Sequence, residues 1–321
     1  MRRPLLLIIA LILLNILAWG LALGVGSTTI DFSAWGSGTL PDWQRAIVME
    51  LRLPRAVAGF AVGAMLAMAG VLMQVLLRNP LAEPFILGIS GGAAVAALSC
   101  ILLGLGGWWI SSSAFIGSLV SMLVVFLLGG GARGGRERLL LTGVVLASGW
   151  GALISFLLMI GPDQSIRGML FWLMGDLSRP AGTAWWALPI VLLALLAGWV
   201  MAPALDLLAR GDDQAAVLGV EVHRLRAGCY VTASLLTAAA VTLAGPIGFV
   251  GLVVPHLMRL LIGAQHRWLL PASLLAGGAL LVVADTLART VLAPRQLPVG
   301  VLTALLGVPV FLYLLQRRGH D

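Results

Sequence analysis

Ten apolar runs, separated by short polar stretches, set the pattern of this chain. They cover residues 5–24, 56–77, 85–105, 109–129, 139–160, 183–207, 227–245, 248–263, 268–292 and 298–316. A helix rises about 1.5 Å per residue, so a run of roughly 20 residues crosses the ~30 Å hydrocarbon core of a bilayer. The pattern predicts an all-α polytopic membrane protein of about ten transmembrane helices, with residues 1–321 forming one transmembrane domain. The eighth run is short and follows Gly245-Pro246-Ile247-Gly248, which predicts a kinked or re-entrant beginning sheltered by neighbouring helices. Met1-Arg2-Arg3-Pro4 ahead of residues 5–23 has the layout of a secretory signal. Its apolar run exceeds a signal core and many spans follow, so an uncleaved first helix is expected.

Composition explains why lipid must be the solvent. Hydrophobic residues make up 60% of the chain and charged residues 10%, whereas soluble domains sit near 45–50% apolar and about 25% charged. All twenty basic residues are arginine. Without a lysine the chain has no GxxxxGK[ST] phosphate loop, so any ATP-driven step needs a separate ATPase chain and the protein itself is not an enzyme. The net charge of +7 raises nucleic acid as a partner. The arginines, however, lie between the apolar runs, where they set topology. With the N-terminus in the cytoplasm, thirteen arginines fall inside (2, 3, 78, 133, 136, 138, 210, 224, 226, 259, 267, 317 and 318) and seven outside (45, 52, 55, 167, 179, 289 and 295). The excess inside places both termini in the cytoplasm of a bacterial inner-membrane protein and leaves the seven outer arginines to be explained. Cys100 and Cys229 fall in apolar runs and read as small buried hydrophobes. The forty glycines read chiefly as helix-packing positions, and Trp108-Trp109, Trp172 and Trp185-Trp186 as interfacial aromatics.

Four polar islands carry the candidate chemistry. Glu50-Leu51-Arg52-Leu53-Pro54-Arg55 places Pro54 as in a first helical turn, with two arginines at an outer helix N-terminus. The macrodipole disfavours cations there, which suggests an acidic partner or interfacial snorkelling. Arg78-Asn79-Pro80-Leu81-Ala82-Glu83-Pro84 reads as a rigid cytoplasmic turn. The connection from Asp206 to Arg226 contains a short helix over 210–220, capped by Asp212 or Asp213 and ended by Gly219. Its apolar side (Ala215, Ala216, Leu218) suits docking into a groove of a soluble partner. Asp285 and Arg289 stand i, i+4 for an ion pair at the outer end of the ninth span. Neither His223, His256, His266 and His320 nor any GxSxG element forms a catalytic or metal constellation, so no cofactor is expected. Gly129-Gly130-Gly131 with Gly134-Gly135 reads as a mobile cytoplasmic loop rather than a phosphate cradle.

Several motifs in order resemble the FecCD-type permeases of type II ABC importers, which take up ferric siderophores, haem and cobalamin. They are Leu51-Arg52-Leu53-Pro54-Arg55, Asn79-Pro80-Leu81-Ala82-Glu83-Pro84 with Leu87-Gly88-Ile89-Ser90, Trp172-Leu173-Met174-Gly175, Ala216-Val217-Leu218-Gly219-Val220, the run from Gly248 to Arg259, and Leu297-Pro298-Val299-Gly300. The resemblance implies a ten-helix permease working as a homodimer, with two cytoplasmic ATPase subunits and a periplasmic substrate-binding protein. It assigns binding-protein docking to Arg52, Arg55 and Arg289. ATPase coupling falls to the short helix with Arg210, Gly211, Asp212, Asp213, Gln214, Ala215, Leu218 and Gly219. A cytoplasmic gate falls to Arg138, Leu141 and Thr142, in a stretch whose glycine and arginine content departs from the family. The expected function is import of a metal chelate by alternating access. The rival, an ion-coupled secondary transporter, needs carboxylates at mid-membrane depth, and Asp285 alone lies clearly within a span.

Overall fold

The protein was analysed as a computed structural model that describes residues 2–26, 28, 30, 41–131, 134–178, 181–293 and 295–318. Arg133, Arg179 and His320, and the side chains of Arg2, Arg317 and Arg318, lie outside the described residues. Regular structure among the described residues is helical throughout. Its helices are α1 (Arg2–Gly24), α2 (Asp42–Leu76), α3 (Ile89–Leu102), α4 (Trp108–Leu128), α5 (Arg136–Ile160), α6 (Asp163–Leu173), α7 (Ala187–Arg210), α8 (Asp212–Val217), α9 (Val222–Ala244), α10 (Val250–Ile262), α11 (His266–Thr290) and α12 (Val299–Arg318). Seven are long and apolar enough to span a bilayer, and three shorter apolar helices (α3, α10 and α12) complete the ten. An even number of crossings puts both termini at one end, called here the terminal end.

The spans pack around α2. Of its apolar window 94% is buried, against 22% for α1 and 11% for α5. Small residues make this possible, because glycine lets two backbones meet with no side-chain layer between them. A Cβ on Gly63 would stand 2.1 Å from the Gly277 carbonyl oxygen of α11, and one on Gly70 would stand 1.9 Å from that of Gly251 in α10. Gly92 of α3 and Gly117 of α4 meet in the same way. These glycines are therefore packing positions, as the sequence suggested.

Boundaries depart from expectation where backbone chemistry intervenes. The second helix does not begin at Pro54 but runs from Asp42, with a π-helical stretch over Ile47–Arg52. Proline cannot donate to the carbonyl four residues back and crowds it. The wider turn lets Leu53 N–H bond Val48 instead, so the helix passes the proline unbroken. Before α3, a 3₁₀ turn at Pro84–Leu87 ends at Gly88 in a left-handed conformation, φ +71°. The eighth span is entered through an irregular segment from Gly245 (φ +68°) to Phe249 (φ +69°), in keeping with the expected broken beginning. α6 lies between the fifth and sixth apolar runs, where the sequence pattern predicted no helix, and Trp172, read as interfacial, is 4% exposed. Trp108, Trp109, Trp185 and Trp186 are exposed at span ends, as an aromatic belt requires. Cys229 is buried and Cys100 half-buried, both free.

Candidate functional sites at the two ends of the bundle

At the end opposite the termini, α2 and α11 bring Arg55 and Arg289 together on one carboxylate, and Arg52 of α2 reaches the C-terminus of α1. Asp285 accepts from Arg55 Nε (2.9 and 3.1 Å) and from Arg55 Nη2 (2.9 Å), a fork-on-carboxylate arrangement that a lysine could not make. Arg55 Nη1 also donates to Gln296 Oε1 at 2.9 Å. Arg289 forms the expected i, i+4 ion contact with Asp285 at 3.3 Å, and its Nη2 donates to the Ala22 carbonyl at 3.2 Å. The side chains of Arg55 and Arg289 are 11% exposed, and that of Asp285 4%. Arg52 turns inward. It is 5% exposed and donates to the carbonyls of Leu23 (2.7 Å), Gly24 (3.0 Å) and Thr28 (2.6 Å). Those carbonyls at and beyond the C-terminus of α1 include groups with no intrahelical partner, and a cation there complements the macrodipole. The helix N-terminus first assumed for these arginines is corrected by the extension of α2 to Asp42. Arg52 faces the favourable end of another helix.

The terminal end carries the docking candidate. α7 continues to Arg210 and α9 starts at Val222, so the connection first read as Asp206–Arg226 shrinks to a tight corner around α8. Gly211 makes the corner at φ +151°. It is the residue flanking α8, with Asp212 and Asp213 in the first turn, so the cap expected from an aspartate is not formed. Asp212 instead pairs with Arg136 at the start of α5. Gly219 ends the helix at φ +84°, with its N–H bonded to Ala216 and that of Val220 to Ala215, a left-handed close that favours glycine. Ala215 is fully buried and anchors the element, whereas Leu218 is 62% and Val217 87% exposed. Arg210, Asp213 and Gln214 are also exposed, and Asp212 is half-buried. The apolar side expected from the sequence, Ala215, Ala216 and Leu218, includes Leu218 but not Val217, the more exposed of the two.

The gate candidates lie two to six residues beyond Arg136. Arg138 Nε donates to the Leu128 carbonyl at 3.1 Å and so closes the C-terminus of α4. Leu141 is exposed and Thr142 half-buried. Gly143 lets α5 approach the turn at Pro84–Leu87, since a Cβ there would stand 2.8 Å from the Ile86 carbonyl oxygen. Most of the remaining α5 surface, including Val145, Phe156 and Met159, is uncovered within one protomer.

Glu83 ties the 79–84 turn to α10. Leu81 N–H bonds Asn79 Oδ1 at 2.9 Å, which fixes the turn, and the Glu83 carboxylate accepts the Phe249 N–H at 2.7 Å. Burial pushes the Glu83 carboxyl above the usual carboxylate range, and the Phe249 bond partly opposes that rise. A raised pKa in the folded state means that the native protein binds the proton more readily than the unfolded chain. Stability from this group is greatest below the ordinary glutamate value and falls as pH rises through the elevated one. Glu83→Gln keeps an acceptor for Phe249 without the charge, so it should be at least as heat-stable as the parent at neutral pH and show a flatter decline. Glu83→Ala should lose about 1–3 kcal/mol by stranding the Phe249 N–H. Thermal unfolding in detergent from pH 5 to 8 checks both, and a parent that gains stability across that range would contradict the assignment.

The FecCD transport family matches residues 9–317. The hemin transport system permease protein of Yersinia pestis is 42% identical over 96% of this chain and 94% of its own length. The vitamin B12 import system permease protein of Vibrio cholerae is 41% identical, covering 90% and 87%. The Fe(3+) dicitrate transport system permease protein of Escherichia coli is 42% identical, covering 87% and 89%. A solved structure described as an inward-facing conformation of a metal-chelate type ABC transporter superposes with a TM-score of 0.88 at 30% identity, over 97% of this chain and 98% of that one. The family match spans nearly the whole chain, and the chain belongs to the FecCD transport family.

Proposed function

We propose that this chain is the permease subunit of an ATP-binding-cassette importer that moves a metal chelate inward across the bacterial inner membrane by alternating access. The cargo class is ferric siderophore, haem or cobalamin, in line with the names of its relatives. The observation that carries the reading is α8, a one-turn helix held outside the spans with Val217 and Leu218 bare. Large apolar side chains facing water call for a partner, and no ATP site of its own accompanies them. Two ATPase subunits would receive α8 from the two halves of a homodimer, with the uncovered face of α5 along the dimer axis. In this reading the terminal end is cytoplasmic, so both termini lie inside.

The far end would receive the substrate-binding protein. Two guanidiniums, Arg55 and Arg289, hold one carboxylate and a third, Arg52, is held by backbone carbonyls, leaving two positive charges unbalanced for acidic groups of the partner. Arg55 and Arg289 supply the contacts, and Arg52 adds charge from below while holding α1. The gradient-driven alternative finds little support here, because Asp285 is already held by two arginines at the end of its span.

Reconstitution tests the proposal. Proteoliposomes bearing the permease with its ATPase and binding protein should accumulate chelate only with ATP inside the compartment that corresponds to cytoplasm. Uptake by the permease alone, driven by a proton or sodium gradient, would overturn it.

A further inference from the structure

One side-chain contact crosses directly from the docking helix to the helix that carries the gate candidates. Arg136 is the first residue of α5 and Asp212 the first of α8, and their side chains form an ion pair at 2.5 Å. The neighbourhood is crowded with like charge. Arg226, the fifth residue of α9, donates Nη2 to the Gly134 carbonyl at 2.8 Å, directly ahead of α5. Arg78 stands over the α7–α8 corner, where a Cβ on Gly211 would meet its Nη2 at 2.6 Å. Both arginines lie near enough to repel Arg136.

Arg136 is therefore badly placed on local grounds. A cation at a helix N-terminus opposes the macrodipole, and two neighbouring guanidiniums add to the penalty. Asp212 is well placed with or without Arg136, because a carboxylate in the first turn of α8 suits that helix's own dipole. The pair thus serves α5 more than α8. The other attachments of this tip of α5, the Arg138–Leu128 and Arg226–Gly134 hydrogen bonds and the buried Leu139 and Gly143, lead to elements other than α8. A displacement of α8 would reach α5 through the ion pair before it reached it through packing.

We propose that the Arg136–Asp212 pair is the transmission link that converts movement of α8 into movement of the gate end of α5, with Arg136 as a positioning residue. The inference rests on α8 being the ATPase docking element. It adds a specific route from that element to the pathway.

The test uses the assembled permease–ATPase complex in proteoliposomes with its binding protein, and reads ATPase co-purification, ATP hydrolysis and chelate uptake. Arg136→Ala should keep the ATPase bound and hydrolysing while uptake per ATP falls about tenfold, the scale of an ordinary coupling energy. Arg136→Lys should retain most of the ratio. Arg136→Asp should lose it, and adding Asp212→Arg should restore at least half by re-forming the pair in reverse. Uptake per ATP unchanged in Arg136→Ala would overturn the link and leave the proposed function standing. So would an assembled double variant no better than Arg136→Asp alone. Should the reversed pair fail to assemble, the contrast between Arg136→Ala and Arg136→Lys decides, and equal loss in the two overturns the link. An unaltered chain that captures no ATPase would overturn both readings together.

Discussion

Asp285→Ala is expected to destabilise the protein by about 3–5 kcal/mol, the usual cost of removing one partner from a buried ion pair. Two effects set the size. Arg55 loses a carboxylate that accepts three of its hydrogen bonds, and Arg289 loses its ion contact. With 11% of each side chain exposed, water replaces little of what is lost, and the remaining arginines of α2 and α11 then repel one another. Arg55→Ala should cost less, because Arg289 still balances Asp285. The double variant Arg55→Leu/Asp285→Leu should recover only the part of the loss due to Arg55, since Arg289 stays buried without its carboxylate. The triple variant with Arg289→Leu should recover more, because replacing a whole buried ionic cluster with apolar groups is often close to neutral. Thermal unfolding of the purified permease in detergent checks the order. A tolerated Asp285→Ala beside a damaging Arg55→Ala would show that the carboxylate is not the centre of the cluster.

Val217→Asp/Leu218→Asp is expected to weaken ATPase capture by at least about 100-fold while leaving the permease folded. Burying a valine or leucine side chain is worth about 1.5–3 kcal/mol each, and every 1.4 kcal/mol is tenfold in affinity. Both side chains already face water, so the fold loses nothing when they become polar. Ala215→Asp provides the contrast. That methyl is fully buried beneath α8, and the change should damage the permease itself. Co-purification and thermal stability, measured on the same samples, separate the two. Capture of the ATPase unchanged in the exposed pair would remove α8 from the docking surface.

The ten-span architecture was legible in the sequence because lipid imposes long apolar runs that no local context overrides. What escaped depends on partners far apart in the chain. α6 carries its apolar residues on one face and charge on the other, so no run announced it. Asp285 was visible as an i, i+4 partner of Arg289, but its stronger attachment to Arg55 spans 230 residues. Arg52 was legible as a charge out of place; that it closes α1 depends on three carbonyls supplied by another segment. Val217 was inside a motif quoted for its family resemblance, yet only the turn of α8 decides that Ala215 faces inward and Val217 outward. The docking, coupling and gate roles themselves rest on resemblance and geometry together, and they stand as proposals for the experiments above.

The backbone-to-backbone meetings of Gly63 with Gly277 and of Gly70 with Gly251 bear on how such a protein can move. Where side chains separate two helices, rotamer changes absorb sliding, as a cushion does. Here there is no cushion, and a shift of an ångström along either seam would drive carbonyl into Cα. α2, α10 and α11 are therefore expected to move as one stator in the proposed transport cycle. In that proposed cycle motion would be concentrated in α5 and the elements hung on it, whose surfaces within the protomer are largely bare. The proposal thus assigns the fixed part to the smallest residues of the bundle, and the working part to the span with the smallest buried share.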